Sequence, residues 1–171
     1  MIPEDTARLA RALGERLVDK GWMFSCAESC TGGLLAAAMT EIPGSSGWFD
    51  RGVVAYSNEA KEDLLNVHHE TLERFGAVSE ETAMEMAAGV LAAAPMSDFA
   101  VSTTGIAGPG GATPGKPVGM VCFGFATRTA QGVSTRAETR VFAGDRAAVR
   151  AAAVAFAISM ALEFNPADSF F

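Results

Sequence analysis

The sequence is short of positive charge. Lys and Arg number 13 against 20 Asp and Glu in 171 residues, giving a net charge of -7 and a pI near 4.8. That balance excludes a duplex-DNA binder, which needs a cationic face against the phosphates. It leaves room for one small anion held by a few local donors. Cysteine is scarce as well. Cys26, Cys30 and Cys122 close no disulfide framework and complete no four-ligand zinc site unaided. They read as reduced thiols in a cytosolic interior. Long apolar runs are missing too: Ala151 to Leu162 falls well short of the ~20 residues of a spanning helix. The start, Met-Ile-Pro-Glu-Asp, has neither the cationic head nor the apolar run of a signal peptide. The expectation is a soluble cytoplasmic protein with no metal, no cofactor, no nucleic-acid partner and no membrane partner.

What is present suits a folded domain. Hydrophobic residues make up 49% and charged residues 19%, a globular composition over a length that fits one domain, residues 1–171. Leu9, Ala10, Leu13, Leu17 and Val18 share one helical face in the segment from Pro3 to Lys20, and Gly21 is its stop. Met23 to Ala27 is a short strand, Gly32 to Glu41 a small-residue helix ended by Pro43-Gly44, and Gly52 to Ser57 a buried strand with no polar face. Asn58 to Asn66 is a short helix capped by Ser57 or Asn58, and Glu80 to Ala94 a longer one capped by Ser79. Phe99 to Thr103 is a third strand, Val118 to Thr127 and Val133 to Phe142 an antiparallel pair, and Arg146 to Phe164 the closing helix. This alternation predicts the α/β class: a three-layer α/β/α sandwich around a mixed, mostly parallel sheet.

Two glycine-rich turns fall at predicted strand ends, where α/β sheets hold their ligands. The first is Ala27 to Gly33 (AESCTGG). A helix starting there offers unpaired N–H groups and a positive dipole end to a phosphate or a developing oxyanion. Ser29 stands at the strand-to-helix corner, as a nucleophile does, yet the turn is neither a G-x-S-x-G elbow nor a P-loop. Ser29 or Thr31 as an ordinary helix cap, with glycines for close packing, is an equally open reading. The second turn, Thr104 to Gly111 (TGIAGPGG), continues to Pro117 and allows close backbone approach to a ligand.

A serine nucleophile needs a base. His68 and His69 sit together in a polar stretch between two helical pieces and read as a solvated loop rather than a metal site. The lysines are Lys20, Lys61 and Lys116. Lys61 follows the strand ending at Tyr56 and leaves the same sheet edge as Ser29. Burial lowers a lysine pKa and equips it as a base; a solvated lysine in an acidic helix is the alternative. Tyr56 is the chain's one tyrosine. Its hydroxyl either sits between serine and lysine or is structural. Asp145 caps the last helix, and Arg146 and Arg150, on one face, either pair with a phosphate or make surface salt bridges.

Taken in order, AESCTGG (27–33), GWFDRGVVAYSNEAK (47–61), GAVS (76–79), GIAGPGG (105–111), KPVG (116–119) and GDR (144–146) resemble the CinA C-terminal-domain family, in particular its stand-alone nicotinamide-mononucleotide amidases. The resemblance implies an α/β/α fold. It also implies an enzyme that cleaves the carboxamide of nicotinamide mononucleotide to nicotinate mononucleotide and ammonia, returning pyridine to NAD synthesis. It puts the nucleophile on Ser29 and the lysine on Lys61, with Tyr56 at a matching position. Substrate contacts are expected from Glu28, Cys30, Thr31, Gly32, Gly33, Thr104, Gly105, Ile106, Ala107, Gly108 and Arg146. Glu28 either faces the pyridinium charge or orients the loop. The tail from Asn165 to Phe171 has no counterpart, and Phe170-Phe171 is expected to pack on a partner subunit of a homo-oligomer such as a dimer. A different amidase specificity, or a non-catalytic module whose glycine turns cradle a phosphate, is the alternative.

Overall fold

A computed structural model describes residues 2–164. The expected packing of Phe170-Phe171 lies outside the described residues. Helix α1 (Glu4–Lys20) ends at Gly21 in the left-handed region, φ 67°, which glycine adopts without a Cβ clash. It is followed by β1 (Phe24–Glu28), α2 (Leu34–Thr40), β2 (Phe49–Val54), α3 (Asn58–Leu65), α4 (His69–Phe75) and α5 (Glu80–Ala93). Then come β3 (Phe99–Gly105), the β4 (Met120–Thr129) and β5 (Gly132–Val141) hairpin, and α6 (Arg146–Glu163). The serine caps hold: Ser57 accepts from the Ala60 N–H and Ser79 from the Thr82 N–H. Each such cap contributes about 1 kcal/mol.

The five strands form one sheet in the order β2-β1-β3-β4-β5. The three-layer α/β/α arrangement is as expected; the balance of strand directions is not. β1 pairs parallel with β2 and β3, while β3–β4 and β4–β5 are antiparallel and make the longer ladders. The reason is local. Residues 106–119 return the chain beside β3 without a crossover helix, and only an antiparallel neighbour can be joined that way. A second correction concerns β2. It is an edge strand rather than a buried one, and Val54 and Tyr56 are exposed.

Side chains alternate across the sheet. Phe24, Cys26, Phe99, Val101, Phe123 and Phe125 face the layer containing α1, α2 and α6. Ala27, Ala100 and Ala126 face the layer of α3, α4 and α5, with Leu65, Leu72, Met86 and Val90. The small residues on the second face let α5 lie close. A Cβ on Gly124 would come within 2.1 Å of the Ala83 carbonyl oxygen, and the Ser102 hydroxyl donates to that same oxygen at 2.5 Å. The pair expected in a solvated loop, His68 and His69, instead starts α4: His68 precedes it and His69 opens it, exposed, with its ring nitrogens against Glu62 and Glu73. Among the described residues no helix is long and apolar enough to cross a membrane.

Candidate active site

Because β1, β2 and β3 run parallel, their carboxyl ends deliver Ser29, Tyr56 and the loop after Gly105 to one edge of the sheet. The Ser29 N–H donates to the Thr103 carbonyl at 2.9 Å, which ties the corner after β1 to β3. Lys61, in the first turn of α3, turns inward and is 1% exposed. Its Nζ lies 2.9 Å from Ser29 Oγ, 2.9 Å from the Tyr56 carbonyl oxygen and 3.2 Å from that of Ala55. Burial holds the Lys61 pKa below its ordinary value; a coulombic contribution from Cys30 opposes this.

The three neighbours of Nζ suit either protonation state. An ammonium donates one hydrogen to each. A neutral amine gives its two hydrogens to the two carbonyls and turns its lone pair to the Ser29 hydroxyl. The main chain, not a side chain, therefore aims the lysine. This corrects the expectation for Tyr56. Its hydroxyl does not stand between serine and lysine; the side chain is exposed and accepts from Arg146 Nη2 at 3.1 Å.

Glu28 resolves differently from a substrate contact. Its carboxylate is fully buried and accepts from the Leu35 N–H at 2.8 Å, the Ala36 N–H at 3.0 Å, the Gly33 N–H at 3.2 Å and the Thr31 hydroxyl at 2.6 Å. Gly33, the residue before α2 (φ 105°), has no side chain to cap the helix. A strand residue does it instead, and its charge meets the positive end of the helix. Glu28 orients the loop, buried among donors from its own turn and helix rather than facing a pyridinium. Thr31 is buried, linked to Glu28 and to the Thr103 hydroxyl at 2.8 Å. Thr104 is likewise committed, donating to the Ala77 carbonyl at 2.7 Å. Both threonines hold the walls of the site through their hydroxyls rather than presenting them to a ligand.

With Glu28 on the Gly33 N–H and the Ser29 carbonyl on the Gly32 N–H (3.0 Å), the turn keeps two uncommitted donors. Among the described residues, the Cys30 and Thr31 N–H groups donate to no protein oxygen. The Cys30 thiol beside them is buried, and that burial pushes its pKa up to about 12, so it stays protonated at neutral pH.

The second glycine turn supplies backbone. Ile106 and Ala107 are buried, and the Ile106 N–H and carbonyl are paired with Met120 and Gly119. Gly105 has no room for a side chain, since a Cβ would meet the Met120 carbonyl oxygen at 2.7 Å. The Gly108 carbonyl accepts from Arg146 Nη1 at 2.8 Å. Arg146 thus joins the loop, Tyr56 and α6, and it borders an open depression of about 490 Å³ with Ala107, Pro109, Val118 and Asp145. Sequence reasoning missed the Ala55 and Tyr56 carbonyls, the cap made by Glu28, and the destination of Arg150. No residue-type signal marks a backbone carbonyl, and an acid at a strand end looks the same whether it caps a helix or meets a ligand.

Comparison with known proteins agrees along nearly the whole chain. The profile of the CinA C-terminal domain matches residues 6–164. The nicotinamide-nucleotide amidohydrolase PncC of Enterobacter agglomerans is 53% identical over 154 residues, covering 90% of this chain and 92% of that protein. The protein of the same name from Escherichia coli K12 is 48% identical over 158 residues, covering 92% and 93%. Among solved structures, the competence/damage inducible protein CihA from Agrobacterium tumefaciens superposes with a TM-score of 0.87 at 47% identity, covering 96% of this chain and 99% of that one.

Proposed function

Because the chain belongs to the CinA C-terminal-domain family, we propose that it deamidates nicotinamide mononucleotide by acyl transfer through Ser29 and Lys61. The chain is an enzyme, a hydrolase acting on the carboxamide C–N bond of a nicotinamide nucleotide, as the names of relatives at 53% and 48% identity indicate. The observation that carries the mechanism is the 2.9 Å approach of Lys61 Nζ to Ser29 Oγ inside a desolvated corner.

Ser29 Oγ attacks the carboxamide carbon while neutral Lys61 accepts the hydroxyl proton. The carbonyl oxygen becomes an oxyanion, held by the Cys30 and Thr31 N–H groups. Lys61 then returns the proton to the departing nitrogen, the C–N bond breaks and ammonia leaves an ester on Ser29. Water, deprotonated by Lys61, opens that ester to nicotinate mononucleotide, and Lys61 returns the proton to the departing Ser29 Oγ. The pyridinium of the substrate draws electrons from the carbonyl and assists both attacks. Arg146 and the 105–111 loop receive the ribose phosphate. The product re-enters pyridine nucleotide salvage in the cytoplasm.

Incubation with nicotinamide mononucleotide, following ammonia and the new carboxylate, tests the reading. Wild type turns over. Ser29→Ala binds substrate and releases no ammonia, since the nucleophile adds little ground-state affinity. Cys30→Ala keeps substantial activity, because a thiol protonated at neutral pH takes no part in attack. Binding without ammonia from the wild-type protein would instead make this a nucleotide-binding module, and an inactive Cys30→Ala beside an active Ser29→Ala would move the nucleophile.

A further inference from the structure

The two arginines of α6, one helical turn apart, do different things. Arg146 reaches the Gly108 carbonyl and the Tyr56 hydroxyl on the open side of the site. Arg150, half-buried, goes under the serine turn: its Nε donates to the Cys30 carbonyl at 3.1 Å and its Nη2 to the Thr31 carbonyl at 3.3 Å. Resting on the acyl-transfer reading above, we propose that Arg150 is a positioning residue that sets the oxyanion-binding peptide between Cys30 and Thr31.

The argument is geometric. In a trans peptide the C=O and the N–H lie in one plane and point in opposite directions. Holding the Cys30 carbonyl from one side therefore directs the Thr31 N–H to the other. The neighbouring units are pinned in the same sense. The Thr31 carbonyl is held by the same guanidinium and by the Leu34 N–H at 3.0 Å, so the Gly32 N–H points away from it, to the Ser29 carbonyl at 3.0 Å. That bond in turn fixes the Ser29–Cys30 unit and with it the Cys30 N–H. The two donors left uncommitted in the turn are thus the two whose directions these bonds determine.

Two further observations agree. Gly32 sits at φ 57°, a conformation that favours glycine, and a Cβ there would lie 3.3 Å from Arg150 Nη2, a tight contact beside the guanidinium. And a cation hydrogen-bonded to a peptide carbonyl polarises that peptide, which strengthens its N–H as a donor to developing negative charge. A phosphate ligand held by the Arg150 Nε and Nη2 hydrogens would have to displace both carbonyls.

The test is steady-state ammonia release by the full-length protein carrying Arg150→Ala or Arg150→Gln, assayed well below the melting temperature of each variant. The glutamine variant keeps bulk and one donor but loses the charge and the second bond. Loss of an oxyanion donor's alignment lowers kcat by about 100-fold. The expected result for Arg150→Ala is therefore a fall of about that size, with KM within about threefold of wild type. Arg150→Gln falls in the same direction by a smaller factor, and carries the test alone should the alanine variant fail to fold. A rise in KM with kcat preserved would make Arg150 a substrate ligand, and unchanged constants would make it a packing residue; either overturns the inference while wild type remains an amidase. Wild-type protein that releases no ammonia overturns the amidase reading and takes this inference with it.

Discussion

Lys61 bears the heaviest demand of any single side chain here. In the proposed mechanism it must be neutral to accept a proton, in a protein whose overall charge of -7 favours cations. Burial answers that demand by lowering its pKa, and the Ala55 and Tyr56 carbonyls aim it at Ser29. A lysine that must lose its proton to work gives a rate that rises with pH through its folded-state ionisation. That midpoint lies below the free-lysine value of about 10.4, because desolvation disfavours the charged form. Lys61→Arg is expected to fail nearly as badly as Lys61→Ala, since guanidinium stays protonated at any workable pH. The measurement is kcat/KM against pH for wild type and both variants; an arginine variant of near-wild-type activity would reduce Lys61 to an electrostatic role. At this scale the sequence was legible in the placement of Ser29 beside Lys61, whose side chains meet at 2.9 Å. A serine at a strand end and one lysine on the same edge of the sheet could be paired on paper. Tyr56 could not be read, because what counts at that position is its carbonyl, and any residue has one.

Helix α3 brings Lys61 inward and packs closely on α5. The contact is backbone on backbone: a Cβ added at Gly89 would lie 1.9 Å from the Leu65 carbonyl oxygen, the last residue of α3. Helix propensity alone favours alanine over glycine in a helix interior by about 1 kcal/mol. The clash is larger, since a carbonyl cannot rotate away as a side-chain tip can, and overpacking of this kind costs roughly 1–3 kcal/mol. Gly89→Ala is therefore expected to lower the melting temperature by about 2–4 °C per kcal/mol and to reduce kcat by shifting α3. Gly47→Ala, whose Cβ meets open space, serves as the control and should change neither. A Gly89→Ala protein with unaltered melting and kcat would show that α3 is positioned by something else. Element types were mostly readable because caps and hydrophobic periods are local signals. Helix α4, one short turn-rich piece without an apolar stripe of its own, was not, and neither was the edge position of β2, whose Val53 and Val54 look buried until the order of strands is known.

For the molecule as a whole, the three layers followed from the alternation of strands and helices, while the share of antiparallel pairing depended on how a helix-free stretch, 106–119, returns the chain. Long-range closure was the least legible property. The bonds from Arg150 to the serine turn span 120 and 119 residues, and that from Arg146 to Tyr56 spans 90. This closure bears on time as well as space. A chain made from its amino terminus exposes Ser29 and Lys61 early, and even the whole sheet precedes the helix that completes the site. Catalysis then arises only after α6 has been made. Ribosome-bound chains halted before Arg146 should release no ammonia, and activity should arise only once α6 has cleared the exit tunnel. Turnover by the shorter nascent chains would show that the serine turn sets itself. Otherwise a cell that interrupts translation is left with no half-made amidase acting on its nucleotide pool.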